Sequence, residues 1–231
     1  MVRASYIQIY NEDVSDLLRT EKKNLHIRED PRGVFVDGVS EWAVVRPQEI
    51  LELMKLGAKS RATAKTNMNE SSSRSHAVFI ITIEQMKETG TDTEGKEIKV
   101  AKLNLVDLAG SERVRVTGAS GKRLDECKNI NKSLSCLGMV IAALTERQPQ
   151  AHIPYRNSVL TRLLSDSLGG NCKTTMLTMI SPAPEAFQES LSSLKFAERA
   201  KKIRNKPLIN EDLDQKALIR KYEHELNKLR S

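Results

Sequence analysis

The sequence predicts an α/β layered domain, and three observations carry that prediction. β-rich segments alternate along the chain with stretches of helical period, two long β segments flank a polar, glycine-containing tip, and several apolar positions step by three and four. The composition agrees: 231 residues with 39% hydrophobic and 29% charged side chains suit a soluble domain with a sizeable core rather than a disordered chain.

The elements follow in order. Ser5-Tyr6-Ile7-Gln8-Ile9-Tyr10 is β-rich and starts almost at Met1 without cap, linker or polar lead, an abrupt opening for a domain. Leu25 to Arg28 and Val34 to Val36, punctuated by Pro31, Gly33 and Gly38, predict a small hairpin. Pro47 opens a helix with Ile50, Leu51, Met54 and Leu56 on its apolar side. Ala77 to Met86 and Ile98 to Val106 form an antiparallel hairpin whose exposed tip is Lys87 to Lys96. From Ile130, the positions Leu134, Leu137, Ile141 and Leu144 trace one face of a helix. A second helix is expected from about Asn157 to Leu168, stopping at Gly169-Gly170, and a strand from Thr174 to Ile180. Beyond Pro182 and Pro184 a helix carries Phe187, Leu191, Leu194 and Ala197 inward. Ile203 to Asp214 has no helical period and contains Pro207, which makes it an extended linker. Ile219, Tyr222, Leu226 and Leu229 then repeat at three, four and three, the spacing of a coiled-coil seam or of a short amphipathic helix.

Several function classes are excluded early. The strongly apolar runs Val78–Ile83 and Met139–Leu144 are far below the roughly 18 residues of a membrane span. The first twenty residues carry Arg3, Glu12, Asp13, Asp16 and Arg19 and lack the apolar centre of a secretory signal, so a cytoplasmic protein is expected. Cys127, Cys136 and Cys172 show neither Cys-x-x-Cys spacing nor a histidine at ligand spacing, and are read as reduced, mostly buried thiols. A net charge of +7 and a pI near 9.3 suit an acidic partner or a solvated basic surface. Nucleic acid is not that partner on present signals, since no aromatic platform or recognition motif accompanies the charge.

Two constellations carry chemistry. Asp107-Leu108-Ala109-Gly110 closes a β run. There a carboxylate can hold the shell of a Mg²⁺ ion, and a glycine amide can approach a terminal phosphate because no Cβ intervenes. Asn69-Glu70-Ser71-Ser72-Ser73-Arg74-Ser75-His76 precedes the long hairpin and offers hydroxyls for Mg²⁺, phosphate or water beside a fixed positive charge. Each alone is also an ordinary polar turn. As a pair they could read a γ-phosphate from two sides, with Arg74 bridging to Glu112.

Together these segments resemble switch I and switch II of the kinesin motor family. Tyr10-Asn11-Glu12 with Asp16-Leu17-Leu18, Asn131-Lys132-Ser133-Leu134, Ile153-Pro154-Tyr155-Arg156-Asn157-Ser158, Leu168-Gly169-Gly170-Asn171 and Phe196-Ala197-Glu198-Arg199-Ala200 agree in the same order. The resemblance implies an incomplete kinesin-type P-loop NTPase fold, with a central mixed β-sheet flanked by helices and a C-terminal helical extension. It divides the chain into a partial motor domain (1–202), a neck linker (203–214) and the start of a neck coil (215–231). It implies ATP and Mg²⁺ as ligands of the complete parent. Asn69, Ser72, Ser73, Asp107 and Gly110 would sense them, with Mg²⁺ held by Ser73 and, through water, by Asp107. Arg74 and Glu112 would act in hydrolysis. Arg113, Arg115, Lys122, Arg123, Lys128, Lys132, Arg147, Arg156 and Arg162 would meet tubulin in the microtubule, which places the protein on the cytoskeleton. Homodimerisation would use a coil continuing beyond Ser231. Membranes and nucleic acids are not implied.

Three departures qualify the resemblance. Asn157 and Val159 stand where the family usually has Asp and a basic residue, and the loop before His152 has only Arg147 in place of a lysine cluster. No Gly-x-x-x-x-Gly-Lys-[Ser/Thr] is present: Gly169-Gly170-Asn171-Cys172-Lys173-Thr174 lacks a glycine before Lys173, and Gly121-Lys122 has Val116 and Arg123 at the outer positions. The family's P-loop lies upstream of the strand that begins here at residue 2 or 3, so its first third is expected to be missing, as in a fragment or truncated gene model. The P-loop strand would stand between the strands matching Ile98–Val106 and Thr174–Ile180, so the latter is expected either to lack its proper neighbour or to slide in and pair directly. The alternative is a non-catalytic microtubule-binding or dimerisation module.

Overall fold

A computed structural model of the chain describes residues 1–30, 33–68, 74–88, 96–111, 122–146 and 152–213, with side chains described for 1–30, 33–62, 74–87, 98–111, 132–146 and 152–210. Its sheet is built around β1 (Val2–Tyr10), which pairs on one edge with β2 (Asp13–Asp16) and β5 (Trp42–Val44). The other edge of β1 pairs with β6 (His76–Glu88), from Val2↔Ile83 to Ile9↔His76. The expected long hairpin joins β6 to β7 (Lys96–Asp107) in register from Ala77↔Asp107 to Glu88↔Lys96. A short β8 (Glu211–Leu213) adds to β7 at Glu97–Lys99, and all these pairings are antiparallel. β3 (Ile27–Asp30) and β4 (Gly33–Val36) form the small separate hairpin.

Strand alternation then supplies two cores. Ile7 and Ile9 of β1 and Val78 of β6 point to one face, where they pack with Leu137 and Ile141 of α2 (Lys122–Thr145) and Leu160 of α3 (Val159–Leu163). Phe196 and Ala200 of α4 (Phe187–Ala200) and Ile203 close this core. Ala4, Phe79 and Ile81 point to the other face and meet Ile50, Leu53 and Met54 of α1 (Pro47–Met68). Tyr6 and Phe79 are cross-strand partners whose rings meet edge to face at 5.1 Å.

The apolar stripe of α1 differs from the expected one: Leu51 and Leu56 are exposed, and Leu53 faces the sheet. The true stripe runs 50, 53, 54, 57, and its last position is glycine for a steric reason. A Cβ on Gly57 would lie 2.1 Å from Cδ1 of Tyr6. Gly57→Ala is therefore expected to destabilise the chain by about 1–3 kcal/mol through overpacking, against alanine's usual helix advantage of about 1 kcal/mol. A urea midpoint equal to or above that of the unsubstituted chain would contradict this.

Two further expectations are corrected. The helix expected over Asn157–Leu168 is a 3₁₀ turn at Tyr155–Asn157 followed by the five-residue α3; Leu164 leaves helical geometry at ψ 10°, and turns lead on to Gly169 at φ 86°. There Tyr155 Oη donates to the Leu168 carbonyl at 2.5 Å, and a Cβ on Gly169 would come within 2.8 Å of Leu144. Thr174–Ile180 has no regular secondary structure and joins no ladder among the described residues, and Leu177 is 78% exposed. β7 beyond its pairing with β8 has likewise no second neighbour among the described strands, and Leu103 is 50% exposed. Both open edges agree with the expected lack of an intervening strand, because backbone rows without a ladder remain on each.

The extended linker after α4 is held in place. Asn205 Oδ1 accepts the Gly169 amide at 2.7 Å, while Asn171 Oδ1 accepts the Leu208 amide at 2.5 Å and Asn171 Nδ2 donates to Asn210. The seam from Ile219 to Leu229 lies outside the described residues.

Candidate functional site

The strand ends decide which polar groups meet. β6 and β7 are antiparallel and Ala77 pairs with Asp107, so the residues leading into β6 and those leaving β7 emerge side by side at one end of the sheet. Arg74 lies two residues before β6 and Gly110 three residues after β7. Asn69, Ser72 and Ser73 on one side, and Glu112, Arg113 and Arg115 on the other, lie outside the described residues.

Asp107 is fixed by a residue that sequence reasoning missed. Arg61 of α1, 9% exposed, donates from Nη1 to Asp107 Oδ2 at 2.6 Å, from Nη2 to the Ser75 carbonyl at 2.7 Å and from Nε to Ser75 Oγ at 3.3 Å. One guanidinium thus joins the residues leading into β6 to the end of β7, which suits Arg because its donors form a rigid fork. A signal existed: position 61 continues the buried stripe 50, 53, 54, 57 by a helical turn, and an arginine in that phase needs an acceptor.

His76, the last residue of the segment that leads into β6, links three elements. It is 2% exposed; Nδ1 accepts the Ala109 amide at 2.9 Å, and Nε2 lies 2.8 Å from Ser133 Oγ on α2. Because Nδ1 accepts, the neutral ring carries its proton on Nε2 and donates to Ser133. Burial pushes the imidazole down to about 4, the Arg61 guanidinium adds to the effect, and Asp107 opposes it. The loop after β7 is therefore tied to α2 through a neutral ring.

The side chain of Asp107 is 71% exposed, so its carboxylate retains access for a water molecule of a Mg²⁺ shell. Donors for a triphosphate are less complete. One stretch, Gly90 to Lys96, comes within one residue of a P-loop: Gly90, Gly95 and Lys96 are spaced correctly, but Glu97 occupies the hydroxyl position. Lys96 and Glu97 open β7, opposite Glu88 and Lys87, whereas a P-loop must open a helix whose N-terminus faces the phosphates. Asp107 thus fits a water-mediated contact to Mg²⁺, and the described residues do not supply a phosphate cradle.

A second region gathers basic side chains. Lys132 of α2, Arg156 of the 3₁₀ turn and Arg162 of α3 line one cleft of about 460 Å³, together with Glu12, Asp13 and His26. Arg156 makes an exposed ion pair with Glu29 at 3.6 Å, and Arg162 Nε is buried without a hydrogen-bond partner. Lys122, Arg123 and Lys128 belong to α2, which leads into this cleft; Arg147 lies outside the described residues. No helix among the described residues is long and apolar enough to cross a membrane. Cys136 is a buried free thiol, pushed up by burial, and Cys172 is a half-buried free thiol.

A family model described as the kinesin motor domain matches residues 1–203. The chain is 48% identical over 230 residues to the kinesin-like proteins Klp68D of Drosophila pseudoobscura pseudoobscura and Drosophila melanogaster, covering 100% of this chain and 28% of each relative. It thus spans little more than a quarter of those proteins. A solved fast kinesin, described for its ATPase mechanism and its interactions with microtubules, superposes with a TM-score of 0.82 at 50% identity, over 93% of this chain and 59% of that one.

Proposed function

The chain belongs to the kinesin motor family, and from that premise we propose that it is the switch and track-binding part of an ATP-driven microtubule motor. The observation that carries this reading is the tie from Asp107 to the basic cleft. Arg61 holds Asp107, His76 holds the following Ala109 amide, and the same imidazole reaches Ser133, the neighbour of Lys132 on α2. A γ-phosphate read at Gly110 would therefore act on α2 through the hydrogen bonds from Ala109 to His76 and from His76 to Ser133. Mg²⁺ bound there would neutralise charge on the phosphates; Ser73 and, through water, Asp107 are the residues proposed to hold it. Arg74 and Glu112 are proposed to close over the terminal phosphate. The α2–α3 face is proposed to meet acidic tubulin, with Lys132, Arg156 and Arg162 as described contacts and Arg113, Arg115, Lys122, Arg123, Lys128 and Arg147 completing them.

The missing phosphate cradle favours a narrower reading for this chain taken alone: it binds microtubules without turning over ATP. Residues 203–214 are proposed as a neck linker and 215–231 as the start of a coil that pairs with a second copy when it continues past Ser231. The proposed location is cytoplasmic, on microtubules. Co-sedimentation tests the track reading. Binding should be strong at low ionic strength and fall steeply as added salt shortens the Debye length from about 10 Å at 0.1 M to about 3 Å at 1 M. Sedimentation indifferent to salt would instead indicate an apolar surface.

A further inference from the structure

Glu12 is an acid in the wall of a basic cleft, and nothing assigned so far uses it. It sits at the tip of the β1–β2 hairpin, where Asn11 and Glu12 both adopt left-handed backbone at φ 53° and 66°. Side-chain-bearing residues rarely hold that conformation, and two in succession form the tight turn whose twist matches a hairpin. The turn delivers the carboxylate to a segment 146 residues away in sequence. Oε1 accepts the Ser158 hydroxyl at 3.0 Å, and Oε2 accepts the Val159 amide at 2.8 Å.

Both oxygens are thus engaged at the start of α3. Ser158 Oγ also accepts the Leu160 amide at 3.2 Å, and the Thr161 hydroxyl donates to the Tyr155 carbonyl at 2.6 Å, so the corner from Arg156 to Arg162 is one hydrogen-bonded unit with Glu12 as its outside anchor. A helix of five residues has no independent stability, and its placement depends on such ties. Two of the three described basic side chains of the cleft, Arg156 and Arg162, ride on this corner.

We infer that Glu12 is a positioning residue for the track-binding face: it sets the aim of Arg156 and Arg162 toward an acidic partner by clamping the start of α3. The inference rests on the microtubule reading above, and it makes a prediction of unusual sign. If Glu12 were only a surface charge, removing it would relieve repulsion of an acidic polymer and tighten binding. A positioning role requires the opposite.

The test compares the unsubstituted chain with Glu12→Ala, Glu12→Gln and Arg162→Ala, each alone, and with Glu12→Ala and Arg162→Ala combined. Amide hydrogen exchange without microtubules reads the clamp directly: Glu12→Ala should speed exchange at Val159 while leaving Ile7 of β1 protected. In co-sedimentation Glu12→Ala should weaken binding about fivefold, the scale of a lost helix cap, and Glu12→Gln, which keeps an acceptor, should recover part of it. Glu12→Ala should cost less once Arg162 is already alanine, because part of its effect passes through that side chain and the rest through Arg156. Unchanged exchange at Val159, or binding by Glu12→Ala as tight as or tighter than that of the unsubstituted chain, would overturn the inference. Accelerated exchange at Val159 in a chain that never sediments with microtubules would leave the clamp standing and overturn both its role in track binding and the track reading, a result distinct from loss of the clamp.

Discussion

Mixed with microtubules and Mg-ATP, this chain is expected to turn over ATP well below about 1 per second, the lower end of the range typical of kinases. The reason is positional. Loss of a single preorganised donor to a developing charge typically costs about 10²- to 10³-fold in rate, and a phosphate cradle supplies several such amides together with a lysine. The sequence offers no complete substitute: the correctly spaced Gly90, Gly95 and Lys96 run into a strand and end in Glu97. A steady-state assay of the chain with and without microtubules checks this. Microtubule-stimulated turnover at or above about 1 per second would show that the phosphates are held by groups outside those argued above.

Acid should destabilise the chain strongly through one side chain. His76 titrates near 4 in the folded protein and near 6.5 when unfolded, so between these values the unfolded chain binds the additional proton. Stability from this group is complete above about pH 6.5 and is lost as pH falls toward 4. At about 1.4 kcal/mol per pH unit the loss amounts to about 3 kcal/mol, a large share of the typical total of about 5–15 kcal/mol. Protonation would turn Nδ1 from acceptor to donor and set it against the Ala109 amide. Urea unfolding at pH 7 and pH 4 should show this loss in the unsubstituted chain and a smaller one in His76→Gln. Equal losses in both would assign the acid sensitivity to other groups.

The parts of the fold that were legible in the sequence are those set by periodicity. β1, the β6–β7 hairpin and the inward face of α2 at Leu137 and Ile141 follow from alternation by two or steps of three and four. Period alone could not choose between neighbouring stripes on α1, since Leu51, Leu53 and Leu56 are equally apolar; the clash that Gly57 avoids against Tyr6 settles the phase. Nor could it give the length of α3, where Gly169 and the Tyr155–Leu168 hydrogen bond turn the chain early. Thr174–Ile180 has strand composition, but a strand is defined by its neighbours, and none of the described strands lies against it.

The site divides in the same way. Asp107, Gly110 and Arg74 stand out because their local motifs carry chemistry, and Lys132, Arg156 and Arg162 because their charge suits an acidic polymer. Arg61, His76 as a link, and Glu12 as a clamp are polar ties across 46, 57 and 147 residues of sequence. Ties of that length follow from tertiary placement. Arg61 stands in phase with the stripe 50, 53, 54, 57, but that phase is fixed only by the contact of Gly57 with Tyr6.

The central claim is that the α2–α3 corner is the surface that holds the track, and charge reversal at that corner tests it most directly. The variant carrying Arg156→Glu and Arg162→Glu should sediment with microtubules at least about tenfold more weakly than the unsubstituted chain at low salt, since two attractive contacts become repulsive. Arg156 is exposed, so Arg156→Glu alone should stay folded and weaken sedimentation in the same direction, while circular dichroism checks that the double variant, which also replaces the partly buried Arg162, remains folded. Undiminished co-sedimentation of the folded double variant would contradict the account and move the track-binding surface elsewhere on the domain.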